Sequence, residues 1–338
     1  MNVPQPAPNS APTPKVSIVI PSFNQARYLE TALRSVLDQD YSNLEVIVID
    51  AGSTDGSLAI LERVAARLAY WVSERDAGQA DGINKGLRRA TGDIVAWLNS
   101  DDVYLPGVVR QAVEALAAEP DAGLVYADGI MVDSEQVLLD RHRYRPLDLV
   151  DLLSFEVILQ PTVFMRRSLL EQAGYLDPGY QLILDHELWV RFAARARLYH
   201  VPAFWALERT HAEAKTIARA AEFVAEARRM LGRAAESPLL ASVMKQHARR
   251  IDAGFNVFAA RRLIDAGQYR LAFAHVLTAL RRHPPTVARY WYKFVQAAGS
   301  ALGLAGVFFW YRRMRRRLQH GRQTVDAGLA SPQDRDET

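Results

Sequence analysis

Short apolar runs alternate with longer amphipathic stretches over the first 130 or so residues. Val16–Ile20 (VSIVI) is mostly β-branched and stops at Pro21, which predicts a buried strand. Asn24 can cap the helix that follows, with Leu29, Leu33, Val36 and Leu37 on its inner face. Glu45–Asp50 (EVIVID) predicts a second buried strand. Gly52 and Gly56 punctuate the next loop, and Leu58, Leu61, Val64 and Leu68 return at helical spacing. Tyr70–Val72 reads as a third strand, Gln79–Ala90 as a helix closed by Gly92, and Ile94–Leu98 as a fourth strand. A helix is expected between Pro106 and Pro120, and a fifth strand at Leu124–Tyr126.

This alternation indicates β-α-β units: an α/β fold with a mixed, mostly parallel sheet and helices on both faces. Polar clusters follow three strand ends, at Pro21–Asn24, Asp50–Asp55 and Asn99–Asp102. Open α/β sheets bind ligands at the carboxyl ends of their strands, so these loops are expected to line one crevice. Beyond residue 128 the pattern is mixed, with a strand at Thr162–Met165, a helix at Asp185–Ala194 and a short strand at Leu198–Val201. From about Ile217 a helical C-terminal region follows. Ala253–Leu280 reads as a helical hairpin broken at Gly267, without a second copy that would make a repeat array.

Composition narrows the chemistry. The 338 residues contain no cysteine. That removes disulfides, thiolate zinc sites, iron–sulfur clusters and cysteine nucleophiles. Met1–Pro14 holds five prolines and little to bury, so residues 1–14 are expected to be a disordered leader. The N-terminus lacks the basic–apolar–small pattern of a cleaved signal peptide. The net charge of +3 conceals a division. Residues 1–239 carry 24 basic and 32 acidic groups, residues 240–322 carry 16 and 2, and residues 323–338 carry 1 and 4. The acidic and basic parts are therefore expected to meet different partners.

No Walker loop and no GxGxxG follows the first strand, so a nucleotide needs another device. Asp50 ends the second strand, where a carboxylate can accept the N3–H of a uracil or thymine ring. Its ordinary alternative is a turn Asp in AGSTDGS. Asp101 and Asp102 follow the fourth strand directly. Adjacent acids repel one another, and a divalent cation resolves that repulsion; the alternative is a cap before Pro106. Asp185 opens an amphipathic stretch and can act as a general base or as a helix N-cap, and spacing alone favours the cap. In Glu208-Arg209-Thr210-His211, His211 can bind metal and Arg209 can clamp a phosphate, or His211 can be an ordinary surface residue.

At this point the chain resembles a known family. The string VSIVIPSFNQARYLETALRSVLDQDYSNLEVIVIDAGSTDGS is similar to the start of family 2 glycosyltransferases, which have the glycosyltransferase A (GT-A) fold. The likeness continues through GQADGINKGLRRATGDIVAWLNSDD, LQPTVFMRRSLLEQAGYLD, LDHELWVRFA and ERTHAEAKT, over about residues 15–230. The resemblance implies a GT-A type, Rossmann-like sheet in a catalytic domain at 15–235. Charge and pattern place a basic helical region, a candidate for membrane association, at 236–322 and a disordered tail at 323–338. It implies that Pro21 and Asn24 border the nucleotide base and that Asp50 binds it. It implies that Asp101 lies near the ribose and diphosphate, and that Asp102 holds the metal of the family's Asp-x-Asp motif, spelled here Ser100-Asp101-Asp102. By the same resemblance Asp185 is the base, and His211 completes the metal shell. Three positions depart from the family pattern: Ala51 follows Asp50, Ser100 opens the acidic motif, and Leu184 replaces the Glu before the base. A supporting acid is then expected from Glu187.

The implied reaction is inverting transfer of a sugar from a nucleotide diphosphate sugar to an acceptor hydroxyl, assisted by Mn or Mg. Arg209 helps offset the leaving-group charge. The acceptor is expected to be a glycan or a lipid-linked molecule of cell-surface polysaccharide or glycolipid synthesis. A non-enzymatic sugar-nucleotide-binding or scaffold protein is the competing reading, and the joint presence of Asp102, Asp185 and His211 argues against it. Phe294–Tyr311 is an uncharged 18-residue run followed by an arginine cluster. It suits attachment to an anionic membrane surface at the cytoplasmic face better than packing or spanning. No nucleic-acid motif accompanies the basic charge, so nucleic acid is not an expected partner.

Overall fold

The chain is described from a computed structural model, over residues 13–210 and 219–291 and a few isolated positions beyond. The first strands and helices form where the apolar pattern places them. β1 (Val16–Ser22), β2 (Leu44–Asp50), β3 (Tyr70–Ser73) and β4 (Ile94–Trp97) lie side by side in parallel, in the order β3-β2-β1-β4. Helices α1 (Ala26–Leu37), α2 (Ser57–Val64) and α3 (Gln79–Arg89) connect them. One correction concerns α1. Its N-cap is Gln25, not Asn24. Asn24 sits in the left-handed region at φ 51° and ties its loop to the next one. Its backbone N–H donates to Ser53 Oγ and its Oδ1 accepts from Thr54 N.

The sheet continues through β8 (Phe164–Arg166), β6 (Ala122–Val132), β9 (Arg197–Arg209) and β5 (Val103–Tyr104). After β5 (Val103–Tyr104) come α4 (Val108–Ala118), β6 (Ala122–Val132), β7 (Leu138–His142), α5 (Leu149–Leu153), β8 (Phe164–Arg166), α6 (Arg167–Ala173), α7 (Leu184–Ala193) and β9 (Arg197–Arg209). β8 runs antiparallel to both β4 and β6, whereas β6 and β9 are parallel to each other. Among the described residues, six of the nine strands share one direction, giving the mixed, mostly parallel sheet that was expected. β6 and β9 are far longer than their apolar runs suggest, because both are bent. Their register slips where Ala127↔Val201 gives way to Asp128↔Phe204, which leaves Pro202 and Ala203 unpaired. A proline has no N–H for the ladder, so the strand passes it as a bulge and resumes.

Apolar residues on the two faces of the sheet form two main core clusters. Trp97 of β4 stacks on Trp189 of α7, with centroids 5.2 Å apart. Helix α3 packs tightly through Gly86, where a Cβ would lie 2.3 Å from Val19 Cγ1. Gly232, in the helix Ala220–Glu236, faces open space. Gly86→Ala is therefore expected to lower stability by about 1–3 kcal/mol. Gly232→Ala is expected to raise it by about 0.5–1 kcal/mol. Urea midpoints of the two variants check both signs.

The C-terminal region comprises α8 (Ala220–Glu236), α9 (Ala241–Gln246), α10 (Ala248–Asp265), α11 (Tyr269–Arg282) and α12 (Pro284–Ala288). α10 and α11 form the expected hairpin, and Gly267 turns the break at φ 73°. Phe255 and Phe258 of α10 join the same core cluster as Trp97 and Trp189, so the helical region shares apolar core with the sheet. Most of residues 294–311 lie outside the described residues. Among the described residues, no helix is long and apolar enough to cross a membrane.

Candidate active site

The carboxyl ends of β1, β2 and β4 open onto one cleft of about 1130 Å³. Pro21, Asn24, Asp101, Asp102 and Asp185 all line it. The crevice expected from the polar clusters is therefore present, with Asp185 arriving from α7. Asp185 is not a helix cap. The N-cap is Ile183 and makes no side-chain capping bond, which places Asp185 at the second helical position. Glu226 of α8 holds the approach to this helix, since its carboxylate accepts the backbone N–H groups of Gln181 and Leu182 at 2.9 Å each.

Asp102 is buried under an amide network. Its Oδ1 accepts from Arg209 N at 3.0 Å and its Oδ2 from Asn99 Nδ2 at 3.1 Å. Asn99 also donates to Gln160 Oε1, and Gln160 Nε2 donates to Trp97 O. Burial, then the charges of Asp101 and Glu208, pushes the Asp102 carboxyl well above its usual range. Glu208, near the end of β9, also lines the cleft. Burial first, then Asp185 and Asp101, raises it to about 7, with Arg262 working in the opposite direction. Asp185 is raised by burial, partly offset by backbone N–H groups at the helix start and by Arg262. Both side chains keep some accessible surface because they face the cleft, while protein encloses them elsewhere.

Two expected ligand contacts sit elsewhere. Asp50 is fully buried behind its loop and does not line the cleft. Its oxygens accept from Gly52 N, Ser53 N, Ser53 Oγ and Ser73 Oγ, an arrangement that shapes the turn carrying Ala51 and Gly52 to the cleft wall. Arg209 is also buried and does not line the cleft. Its guanidinium donates to the carbonyls of Asp101, Asp133 and Ser134 and lies 4.8 Å from the Tyr28 ring centroid. It braces the acidic loop in this structure. Glu187, from which a supporting acid was expected, does not line the cleft. It pairs with Arg191, one turn along α7, which also holds the carbonyls of residues 173–175. Glu208, unlike Glu187, lines the cleft together with Asp185. His211 lies outside the described residues.

Glu208, which lines the cleft, and Arg262, whose charge acts on it, were not singled out in the sequence. Arg262 comes from α10, packs over Phe223 and Phe258, and is the cation acting on both Asp185 and Glu208. Glu208 was visible in a polar tetrapeptide, but only the return of β9 past Pro202 brings it to the cleft. Gln160 and Glu226 act through backbone groups far away in sequence and leave no local signal.

The family model for glycosyl transferase family 2 matches residues 17–179. An uncharacterized glycosyltransferase of Mycobacterium tuberculosis (strain H37Rv) is 36% identical over 188 residues, covering 54% of this chain and 70% of that protein. The chain belongs to the family 2 glycosyltransferases. Another relative within the family is the putative teichuronic acid biosynthesis glycosyltransferase TuaG of Bacillus subtilis, 31% identical over 183 residues, covering 52% of this chain and 71% of TuaG. The chain spans about half, 54%, of an uncharacterized glycosyltransferase of Nostoc that is 31% identical to it. Two solved structures share the fold of this family 2 chain. The mannosyltransferase PcManGT from Pyrobaculum calidifontis, in complex with GDP-Man and Mn2+, has a TM-score of 0.59 at 23% identity, covering 93% of this chain and 88% of that one. Staphylococcus aureus TarS 1–349, in complex with UDP-GlcNAc, has a TM-score of 0.56 at 16% identity, covering 82% and 91%.

Proposed function

We propose that this chain transfers a sugar, with inversion, from a nucleoside diphosphate sugar to an acceptor hydroxyl. The observation that carries the reading is the position of Asp185. It is a carboxyl at the start of α7, unused as a cap and exposed to the same cleft as Asp101 and Asp102. Its raised affinity for protons brings it closer to neutral pH, which improves a general base. Asp185 takes the proton of the acceptor hydroxyl while that oxygen attacks the anomeric carbon from the face opposite the diphosphate.

The donor set also fits a divalent cation. Asp102, Asp101 and Glu208 are hard oxygen donors. Burial first, and then acidic neighbours, raises the proton affinity of Asp102 and Glu208, and a cation relieves that repulsion as a proton does. Among the described residues, no group of three or more His, Asp or Glu is already arranged around a point. The proposed ligand set is Asp102 with His211, completed by donor phosphates and water. When bound, the ion offsets the charge growing on the departing diphosphate. Pro21, Asn24 and the turn set by Asp50 form the wall proposed for the base, and Asp101 the contact for ribose and diphosphate. Arg209 keeps Asp101 and Asp102 in place through their backbone and side-chain bonds.

The acceptor proposed is a growing glycan or a lipid-linked sugar, met at the cytoplasmic face of an anionic membrane. The 16 basic groups against 2 acidic ones in residues 240–322 support that surface. The test is release of nucleoside diphosphate from a panel of UDP-, GDP- and dTDP-sugars, with Mn2+ and with EDTA. One donor class is expected to be cleaved, and EDTA to suppress the cleavage. Binding of a donor with no cleavage under any condition would leave the protein a binder and end the enzymatic reading.

A further inference from the structure

A second cavity of about 180 Å³ opens where the loop after α5 meets α10 and α12, and it shares no lining residue with the cleft. Arg250, Arg261, Arg289 and His283 line it, against a single lining acid, Glu156. Arg250 pairs with Asp151, which Arg145 also engages, and Arg289 pairs with Glu156. Four guanidinium groups thus meet two carboxylates. Arg261 is the surplus cation that lines the cavity. Among the described residues it makes no ion pair, and its guanidinium lies 5.6 Å from the Tyr290 ring centroid.

Ser154 gives a second, independent observation. It lines the cavity and is 8% exposed, yet its buried Oγ has no hydrogen-bond partner among the described residues. A buried hydroxyl left unmade is costly, and a ligand oxygen supplies what it lacks. The neighbouring Phe155 is held at φ 61°, a strained conformation for a non-glycine residue. Such strain persists where the surroundings over-determine it, and it collects at ligand clamps. The Phe155 ring stacks on Phe258 at 4.7 Å and on His186 at 5.2 Å, beside Asp185. Gly254 lets α10 approach this turn, since a Cβ there would lie 2.2 Å from Ser154 O.

We propose that this cavity binds a phosphate ester, with Arg261 and Ser154 as its principal ligands. Arg261, without an ion pair among the described residues and beside the paired Arg250 and Arg289, leaves the lining positive and suits an anion. Arginine forks and neutral hydroxyls together suit a tetrahedral anion with several acceptor oxygens. The proposal stands apart from the chemistry of the cleft, so it survives or fails independently of sugar transfer.

The test uses the full chain at physiological salt and three probes: inorganic phosphate, glycerol 3-phosphate, and vesicles containing phosphatidic acid with phosphatidylcholine vesicles as control. Calorimetry reads the soluble probes and co-sedimentation reads the vesicles. Saturable binding of at least one probe is expected, weakened about tenfold or more by Arg261→Gln. Ser154→Ala is expected to weaken it several-fold without lowering the melting temperature, because it removes a hydroxyl that has no partner. UDP binding in the cleft is expected to be unchanged in both. Glycerol 3-phosphate binding without vesicle binding identifies a soluble ester; Arg261-dependent vesicle binding identifies a lipid headgroup; binding of inorganic phosphate alone, with neither ester bound, overturns the ester assignment. Should Arg261→Gln lower the melting temperature, Ser154→Ala decides. Binding that Ser154→Ala and Arg261→Gln leave intact, or no saturable binding of any probe, overturns the proposal.

Discussion

Asp185→Asn is expected to bind the donor as the parent does and to transfer its sugar about 10²–10⁴-fold more slowly. Asn is nearly isosteric with Asp, so the start of α7 keeps its shape and the Trp97–Trp189 stack beneath it is undisturbed. Only the proton acceptor is lost. The substitution also removes a carboxylate that burial disfavours, so the variant is expected to melt no lower than the parent near neutral pH. That separates loss of chemistry from loss of fold. The measurements are a donor dissociation constant, kcat and KM for transfer, and a melting curve. The fall belongs in kcat, because base catalysis acts in the transition state and not in donor binding. Near-normal kcat with intact folding would remove Asp185 from the mechanism. A fall confined to KM would reassign it to acceptor binding.

Much of this arrangement was legible in the chain. The parallel half of the sheet follows from buried β-branched runs between amphipathic helices, a pattern set by nearest neighbours in sequence. Pro21, Asn24, Asp101 and Asp102 were legible because a strand end in an open α/β sheet has one place to go. Asp50 and Arg209 show where that logic stops. Each lies at the right strand end, but the direction of a side chain depends on its partners. Ser53 and Ser73 draw Asp50 inward, and three backbone carbonyls capture Arg209. Glu208 lines the cleft and Glu187 does not, for a similar reason. Arg191 stands one helical turn from Glu187 and claims it, whereas Glu208 reaches the cleft only because β9 continues beyond an unpaired proline. The C-terminal helices looked like an appendage by charge, yet Phe255, Phe258 and Arg262 pack into the body of the enzyme.

With divalent ions removed, Glu208→Gln is expected to match the parent in stability near pH 4.5 and to exceed it near pH 8, by on the order of 2 kcal/mol. The sign follows from proton binding. Glu208 is raised from 4.5 to about 7 in the folded protein. Between those values the folded state holds a proton that the unfolded chain has released. Stability therefore falls as pH rises through the window, and Gln, which has no proton to lose, escapes the fall. Full conversion of the shift gives about 3 kcal/mol; water in the cleft screens the charge and reduces that figure. The parent alone is a poor witness, because His186 acts the other way. Burial lowers it from 6.5 to about 4, so its contribution to stability grows as pH rises through part of the same window. The difference between variant and parent cancels His186. Glu45 does not interfere. Against the burial that raises it, hydrogen bonds from Lys15, Ser17 and Thr91 hold it at about 2, and its effect falls below pH 4.5. Urea midpoints at pH 5 and pH 8 in EDTA give the comparison. Adding Mn2+ at pH 8 is expected to stabilise the parent by about 2.7 kcal/mol at a hundredfold excess over its dissociation constant. Asp102→Asn is expected to lose most of that gain, because it removes the carboxylate proposed to hold the ion. An ion that stabilises Asp102→Asn as strongly as the parent is bound elsewhere. A pH-independent gap between Glu208→Gln and the parent would mean that Glu208 is ionised throughout, and that the acids of the cleft do not compete for a shared charge.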